Sequence, residues 1–442
     1  MPRQLIAPTW IATVDPLDTL LVDHAVVVDG ARIESVEPVD EARRRWPDAE
    51  PIELPGHLLI PGLVNVHCHT GMTLLRGAGE DLPLQRWLTE RIWPLEKALL
   101  GPDFVFDGSV LAIHEMLRGG VTTFCDMYFF PEETARAART LGMRAVLGIP
   151  VVEFPTPWAT GPDDALQRGL ALRDRLRDEP LIRFSLAPHA PYTVADATFE
   201  KIAALAAETG LPIQCHVHET ADEIRRGLDE HGCRPLQRLA RLGIVGPDLL
   251  AIHAVHLDDD DIALLARHEV TVAHCPHSNL KLASGLCPTA RLVERGVRVG
   301  IGTDSAASNN RLDLLGETRL AALLAKGASG DAAAWPARHA LRAATLTGAR
   351  ALGLADEIGS IETGKRADLT AIDLGRPDLL PLFDPVSQLL HCGGRTDVTH
   401  VWTDGRLVVR TRQLEEPDAA SLVSEVVARS RLWHNRIGEM IG

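Results

Sequence analysis

Hydrophobic and polar positions along this chain follow two different periods, and the change between them divides it. Within residues 3–60, short apolar runs at Leu5–Val14, His24–Val28 and Arg32–Val36 are separated by Asp-Pro and Asp-Gly pairs. Runs of this length between turn-forming pairs predict β strands, and Asp29-Gly30 is a hairpin signal. The pattern returns only near the far end, in Asp368–Ile372 and Thr399–Val409, where Asp404-Gly405 interrupts the second run. The two ends are therefore expected to build one small β-sandwich domain together, from residues 1–60 and 356–415.

Between them, short β-branched runs alternate with stretches of helical period. Strands are predicted at Val64–His67, Thr122–Met127, Arg144–Ile149, Ile182–Ala187, Ile213–His216, Leu250–His253, Thr271–His274 and Val299–Gly302. Helices are predicted at Asp103–Leu117, Pro131–Leu141, Asp163–Arg177, Ala195–Thr209, Asp259–His268 and Thr289–Arg295. Such alternation implies parallel strands with right-handed crossovers, and eight units close a (β/α)8 barrel of the TIM-barrel type. The expected fold class is α/β, with the barrel over residues 61–355. Leu312–Ala325 and Pro336–Leu352 continue as helices. Leu422–Ile441, within a C-terminal segment 416–442, reads as an amphipathic helix for packing or subunit contact.

With the strands in place, unusual polar residues fall at their C-terminal ends, where barrel active sites lie. The stretch Leu58–Gly77, LLIPGLVNVHCHTGMTLLRG, is an apolar run broken by Pro61-Gly62 and ending in His67-Cys68-His69. In an extended chain alternate side chains share a face, so the two imidazoles point together and Cys68 points away. Two neutral imidazoles on one face can grip a divalent cation such as zinc. Strand five ends in His216, His218 and Glu219, strand six in His253 and His256, and strand eight in Asp304. A lone histidine at a strand end is ordinarily a hydrogen-bonded core residue; convergence on one barrel mouth is what points to a metal.

Composition narrows the ligand. A net charge of −15 in 442 residues argues against a nucleic-acid partner, since phosphate binding needs clustered Lys and Arg. No apolar run approaches bilayer length and the first residues lack a signal-peptide layout, so a cytoplasmic location without membrane contact is expected. The seven cysteines are scattered without a C-x-x-C pair, and Cys125, Cys215 and Cys275 sit in apolar runs, which reads as small buried hydrophobes.

The motifs PGLVNVHCHT, LQRWL, IWPLEK, APHAPYT, HVHET, HCPHSNLKLASG, GTDSAASNN and TGKRADL span nearly the whole chain. In them the chain resembles the amidohydrolase superfamily, specifically its mononuclear deaminase branch, and most of all the 5′-methylthioadenosine/S-adenosylhomocysteine deaminases. The resemblance implies a single metal, zinc or alternatively iron, held by His67, His69, His216 and Asp304, with Glu219 and His253 as the catalytic pair. It also implies that Glu96 and His189 bind a ribose, with Trp87 closing one side. The two-metal relatives need a lysine on strand four, and IRFSLAPH has none. His218 is left for packing, His256 and His274 for hydrogen bonds to backbone, and Asp258–Asp261 for a solvated helix start favoured by the dipole.

The reaction so implied is hydrolytic deamination of the adenine ring of a small nucleoside. Glu219 would shuttle a proton to the ring, Asp304 would relay one to the leaving amine, and His253 would face the attacking oxygen. Guanine, 8-oxoguanine or triazine hydrolysis is the rival within the class, weakened because a free base offers no ribose diol to Glu96. An inactive barrel serving as a binding protein is the rival outside it, weakened because every ligand position is filled. The resemblance further implies a homo-oligomer. Relatives that accept S-adenosylhomocysteine read its carboxylate with arginines after strand three. Here Ala145–Ala165 contains no Arg or Lys and offers Phe154, Pro155, Pro157 and Trp158 followed by Asp163 and Asp164. A preference for 5′-methylthioadenosine is the expected consequence.

Overall fold

The computed structural model describes residues 2–441. Eight parallel strands form one sheet in sequential order: Leu63–Cys68, Val121–Asp126, Arg144–Val151, Ile182–Pro188, Ile213–Val217, Leu249–His253, Thr271–His274 and Arg298–Ile301. Each predicted barrel strand is present, with ends shifted by a few residues. The seam between strands eight and one is closed by the Asp304 N–H donating to His67 O at 3.0 Å. Asn65 reinforces it, accepting from Thr303 N at 3.0 Å and donating to Thr303 Oγ1 at 2.8 Å. Gly302 permits the close approach, because a Cβ there would meet His67 Cβ at 3.0 Å and Cys275 Sγ at 2.9 Å. Inside the barrel Val64, Val66, Val146, Leu250 and Ile252 fill the axis below the site. Cys125, Cys215 and Cys275 are buried free thiols, as expected.

The chain ends form a second, nine-stranded sheet. Its N-terminal and C-terminal strands also meet across the core: Gln4 Nε2 donates to Gly405 O at 2.9 Å and Trp402 Nε1 donates to Gln4 Oε1 at 2.9 Å. The sandwich is thus a single sheet bent over a shared core of Ile6, Val26, Leu59, Leu369 and Trp402. Its longest strand, Glu50–Pro61, runs straight into the first barrel strand across Gly62, so Pro61-Gly62 is the break the apolar run contains. A buried ion pair, Arg144 with Asp368 at 3.0 Å, ties the third barrel strand to this sheet.

Several helices differ from expectation. The last helix begins at Pro417 and packs on helix Pro102–Arg118, where Asp107 accepts from Arg429 at 2.6 Å and from Trp433 Nε1 at 3.0 Å. Pro336–Leu352 is broken into Ala337–Arg342, a π turn at Ala343–Thr347 and Gly348–Ala351. Short helices at Leu84–Trp87 and Trp93–Leu99, joined by a π turn, had no clear periodic signal. They roof one side of the barrel mouth. Among the described residues, no helix is long and apolar enough to cross a membrane.

Candidate active site

The barrel mouth opens into a cavity of about 560 Å³. Its floor is formed by His69, His216, Glu219, His253 and Asp304, while Trp87, Glu96 and His189 line its walls. His67 is fully buried just beneath. The structure therefore gathers all nine residues singled out in the sequence around one space.

Strand one aims His67 and His69 inward with ring centroids 4.7 Å apart, while the Cys68 thiol turns away towards Cys125 O. His216 on strand five brings its Nε2 to 3.2 Å from His67 Nε2. Asp304 Oδ1, past strand eight, lies 3.5 Å from His67 Nε2 and 3.2 Å from His69 Nε2. The ligand atoms of His67, His69 and Asp304 lie within 4.8 Å of one another, and so do those of His67, His216 and His253.

Hydrogen bonds on the far side of the rings decide what this cluster can hold. His69 Nδ1 donates to Met127 O at 2.5 Å and His216 Nδ1 to His189 O at 2.8 Å. A carbonyl only accepts, so the Nδ1 atoms carry the protons and the Nε2 atoms present lone pairs. Two imidazole lone pairs and a carboxylate oxygen around one point repel until a cation enters, and nitrogen with oxygen donors suits zinc. Burial pushes His67 down to about 4 and His216 well below the ordinary histidine value, keeping both in the neutral form that ligates. For His69, burial is outweighed by Asp304, and its pKa is raised. Proton and cation compete for the same point.

The second carboxylate is of a different kind. Glu219 is buried, and that burial pushes its pKa up to about 7. It sits 3.7 Å from His253 Nε2 and 3.4 Å from Ser284 Oγ. Glu223 fixes its backbone, one oxygen accepting from His218 N at 2.8 Å and the other from Glu219 N at 2.9 Å. His253 is oriented by Asn279 Oδ1 at 2.8 Å. The Asp304 carboxylate accepts from Ser278 and Ser308, at 2.5 and 3.0 Å. Left-handed backbone recurs here, with φ of 55° at His218, 72° at His253, 46° at Ala254 and 58° at Asp304. Non-glycine residues adopt this region at a cost, and the surrounding hydrogen bonds hold it.

The wall residues differ in charge. Glu96, on helix Trp93–Leu99, accepts from Tyr128 Oη at 2.7 Å, and burial pushes its pKa up to about 7. His189, past strand four, bonds Thr193 Oγ1 at 3.0 Å and is lowered to about 3 by burial and neighbouring histidines. Beyond them the rim is Leu84, Leu88, Trp93, Phe154, Pro155 and Pro157, and Lys97 is the one Lys or Arg among the lining residues.

Four expectations need correction. His274 is buried with neither ring nitrogen partnered, so its ring makes no hydrogen bond to backbone. Asp258–Asp261 is not wholly solvated: Asp258 caps the helix, while Asp261 is buried against Arg234 at 2.6 Å. Trp158 is no part of the pocket wall, being buried and bonded to Glu132 at 3.2 Å. Asp163 and Asp164 are likewise absent from the lining and pair with Lys201 and Arg168. His256 does bond backbone, at Ser284 O, 2.7 Å away. His218 packs with its Nε2 accepting from Leu236 N at 3.0 Å. The sequence reading does not reach Tyr128, Glu223, Ser278, Asn279 and Ser308. Ser278, Asn279 and Ser308 lie in the matched motifs, and Glu223 lies three residues after Thr220, a helix-capping signal.

A model of the Amidohydrolase family matches residues 58–408. A 5-methylthioadenosine/S-adenosylhomocysteine deaminase of Teredinibacter turnerae is 46% identical over 97% of this chain and 96% of its own. The enzyme of the same name from Thermodesulfovibrio yellowstonii is 39% identical, covering 98% of each chain. Among solved structures, a zinc-bound adenosine deaminase from Xanthomonas campestris superposes with a TM-score of 0.96 at 46% identity, covering 99% of this chain and 98% of that one. An atrazine chlorohydrolase from Arthrobacter aurescens with zinc reaches 0.89 at 26% identity, covering 97% and 99%. With the barrel inside the family model's match and nearly the whole chain inside the match to these relatives, the chain belongs to the amidohydrolase family.

Proposed function

We propose that this protein hydrolytically deaminates the adenine ring of 5′-methylthioadenosine, giving the inosine analogue and ammonia. The observation that carries this is one cavity joining the cation-seeking histidine and aspartate cluster on its floor to a carboxylate, Glu96, on its wall. The first suits hydrolysis at a ring carbon; the second suits a ribose diol, which a free base lacks. The names of the relatives agree with this reading.

His67, His69, His216 and Asp304 would hold one divalent ion of the zinc type. When bound, such an ion acidifies water at neutral pH and withdraws charge from the reacting carbon. Glu219, pushed up to about 7, is partly protonated at neutral pH and can donate to the ring nitrogen beside the amino-bearing carbon. Asp304 takes a proton from the attacking water at its Oδ atoms and delivers it to the departing amine. His253, oriented by Asn279, faces the attacking oxygen and offsets its developing charge. Glu96 and His189 orient the ribose, and Trp87 covers one side of the ring.

The apolar rim is what selects the 5′ substituent. A methylthio group gains by burial against Phe154 and Pro157, whereas an amino-acid tail would lose hydration with only Lys97 to answer its carboxylate. The deciding experiment is metal analysis paired with ammonia release from 5′-methylthioadenosine, adenosine, guanine and a triazine. Release from the first with one zinc per chain supports the reading, and turnover of free bases alone would overturn it.

A further inference from the structure

Tyr128 has no part in the chemistry above, yet it stands between the metal cluster and the ribose wall. It lies two residues past strand two, is 4% exposed, and among the described residues is the one side chain hydrogen-bonded to the Glu96 carboxylate, at 2.7 Å. Burial and the adjoining carboxylates raise its pKa well above the ordinary phenol value, so the hydroxyl remains a donor. We propose that Tyr128 is a positioning residue for ribose recognition: its hydroxyl pins one oxygen of Glu96, leaving the other to receive the 2′ and 3′ hydroxyls. The proposal rests on the assignment of Glu96 to the ribose.

Three observations support it. The first is that Glu96 comes from a short helix outside the barrel, and a carboxylate on such an element has several rotamers unless something fixes it. The second is that Tyr128 itself is closely packed. Its ring lies on Gly71, where a Cβ would come within 2.5 Å of Cε1, and Gly71 in turn lies on Gly108, where a Cβ would come within 2.2 Å of Gly71 O. Two glycines thus make a slot that holds the phenol in one place. The third is that the same stretch of chain anchors the floor. Asp126 accepts from Thr70 N at 2.7 Å, and Met127 O accepts from His69 Nδ1 at 2.5 Å. Asp126, Met127 and Tyr128 therefore set the distance between the ring-attacking floor and the ribose-gripping carboxylate. A nucleoside that fits both must carry its base and its diol at that spacing.

The test is a substrate-by-variant cycle on the zinc-loaded enzyme. Wild type, Tyr128→Phe, Glu96→Gln and the double variant are assayed with 5′-methylthioadenosine and with its 2′,3′-dideoxy analogue. Removing a hydrogen bond to a charged group is expected to lower kcat/KM for the hydroxylated substrate roughly tenfold in Tyr128→Phe, mostly through KM. For the dideoxy analogue the same variant should match wild type, and in the Glu96→Gln background the Tyr128 change should add nothing. Equal losses on both substrates would overturn the proposal, because a merely structural role does not distinguish them. Should Glu96→Gln retain the full preference for the diol, the ribose reading of Glu96 falls and the proposal falls with it. Should Glu96→Gln lose that preference while Tyr128→Phe keeps it, only the positioning role falls.

Discussion

At the floor of the pocket each proposed metal-binding side chain hangs at or just past the end of a barrel strand, and most have a second polar atom tied down. His69 is held by Met127 O, His216 by His189 O, His253 by Asn279 and Asp304 by two serines. At the rim, short helices and the Glu153–Pro157 stretch offer exposed apolar groups: Phe154 is 46% exposed and Trp93 36%, with their rings 6.5 Å apart. The floor is pre-organised and expensive to build, with left-handed backbone at two of its residues, His253 and Asp304, and at the adjoining Ala254 and His218. The rim is cheap and free to vary. On the proposed function, the floor sets the reaction type and the rim the choice of substrate.

The largest effect should come from breaking the floor. His216→Ala removes one lone pair from the cluster and is expected to abolish bound zinc and to lower turnover by roughly a thousandfold or more, the scale of losing an essential metal. Far-ultraviolet circular dichroism should stay unchanged, since the barrel axis packs below the site. An active, metal-free variant would show that the ion is held elsewhere.

Next is the carboxylate that the proposed mechanism keeps out of the ligand set. Glu219→Gln keeps the volume and the bond from Ser284 but has no proton to deliver, so kcat should fall on the order of 10² to 10⁴ with zinc content intact. Loss of zinc in this variant would move Glu219 into the ligand set and end the distinction drawn here between two kinds of carboxylate.

The floor could be read in the sequence because strand period fixes which side a residue faces. His67 and His69 obey it, and Cys68 turns away as alternation demands. His218 shows where that reasoning stops: two residues after His216 it should share its face, but its left-handed backbone turns the ring to Leu236 N instead. His274 ends strand seven as expected, yet its lack of a partner depends on what the fold packs around it. Tyr128 and Asn279 work through residues 32 and 26 positions away, a pairing no local pattern encodes. The rim was least legible. Its helices are four and seven residues long, joined through a π turn and carrying Pro94, so no period has room to develop.

A smaller effect should appear when the rim is tested with two substrates on one preparation. The kcat/KM for 5′-methylthioadenosine is expected to exceed that for S-adenosylhomocysteine by roughly tenfold or more, the cost of desolvating a carboxylate that only Lys97 can answer. Lys97→Met should lower the residual activity on S-adenosylhomocysteine further and leave 5′-methylthioadenosine unchanged. Equal values for the two substrates in wild type would mean that the rim does not select.

The smallest effect joins the two regions through Glu96. Its folded-state pKa, near 7, stands above the ordinary value of 4.5, because burial penalises the charged form more than the Tyr128 hydrogen bond rewards it. A carboxyl raised on folding binds more protons in the native state than in the unfolded one between those two values. Stability contributed by this group is therefore full below pH 4.5, declines as pH rises towards 7 and stays lost above it. Glu96→Gln carries no such charge, so its melting temperature should exceed that of wild type at pH 8 by roughly 2 °C and converge with it near pH 4.5. Binding runs the other way, since the ionised carboxylate is the stronger acceptor for two hydroxyls. The wild-type KM for 5′-methylthioadenosine should fall as pH rises through 7, whereas the KM of Glu96→Gln should be higher and flat across the same range. A variant that neither gains stability at pH 8 nor loses the pH dependence of KM would place the titrating group elsewhere in the pocket.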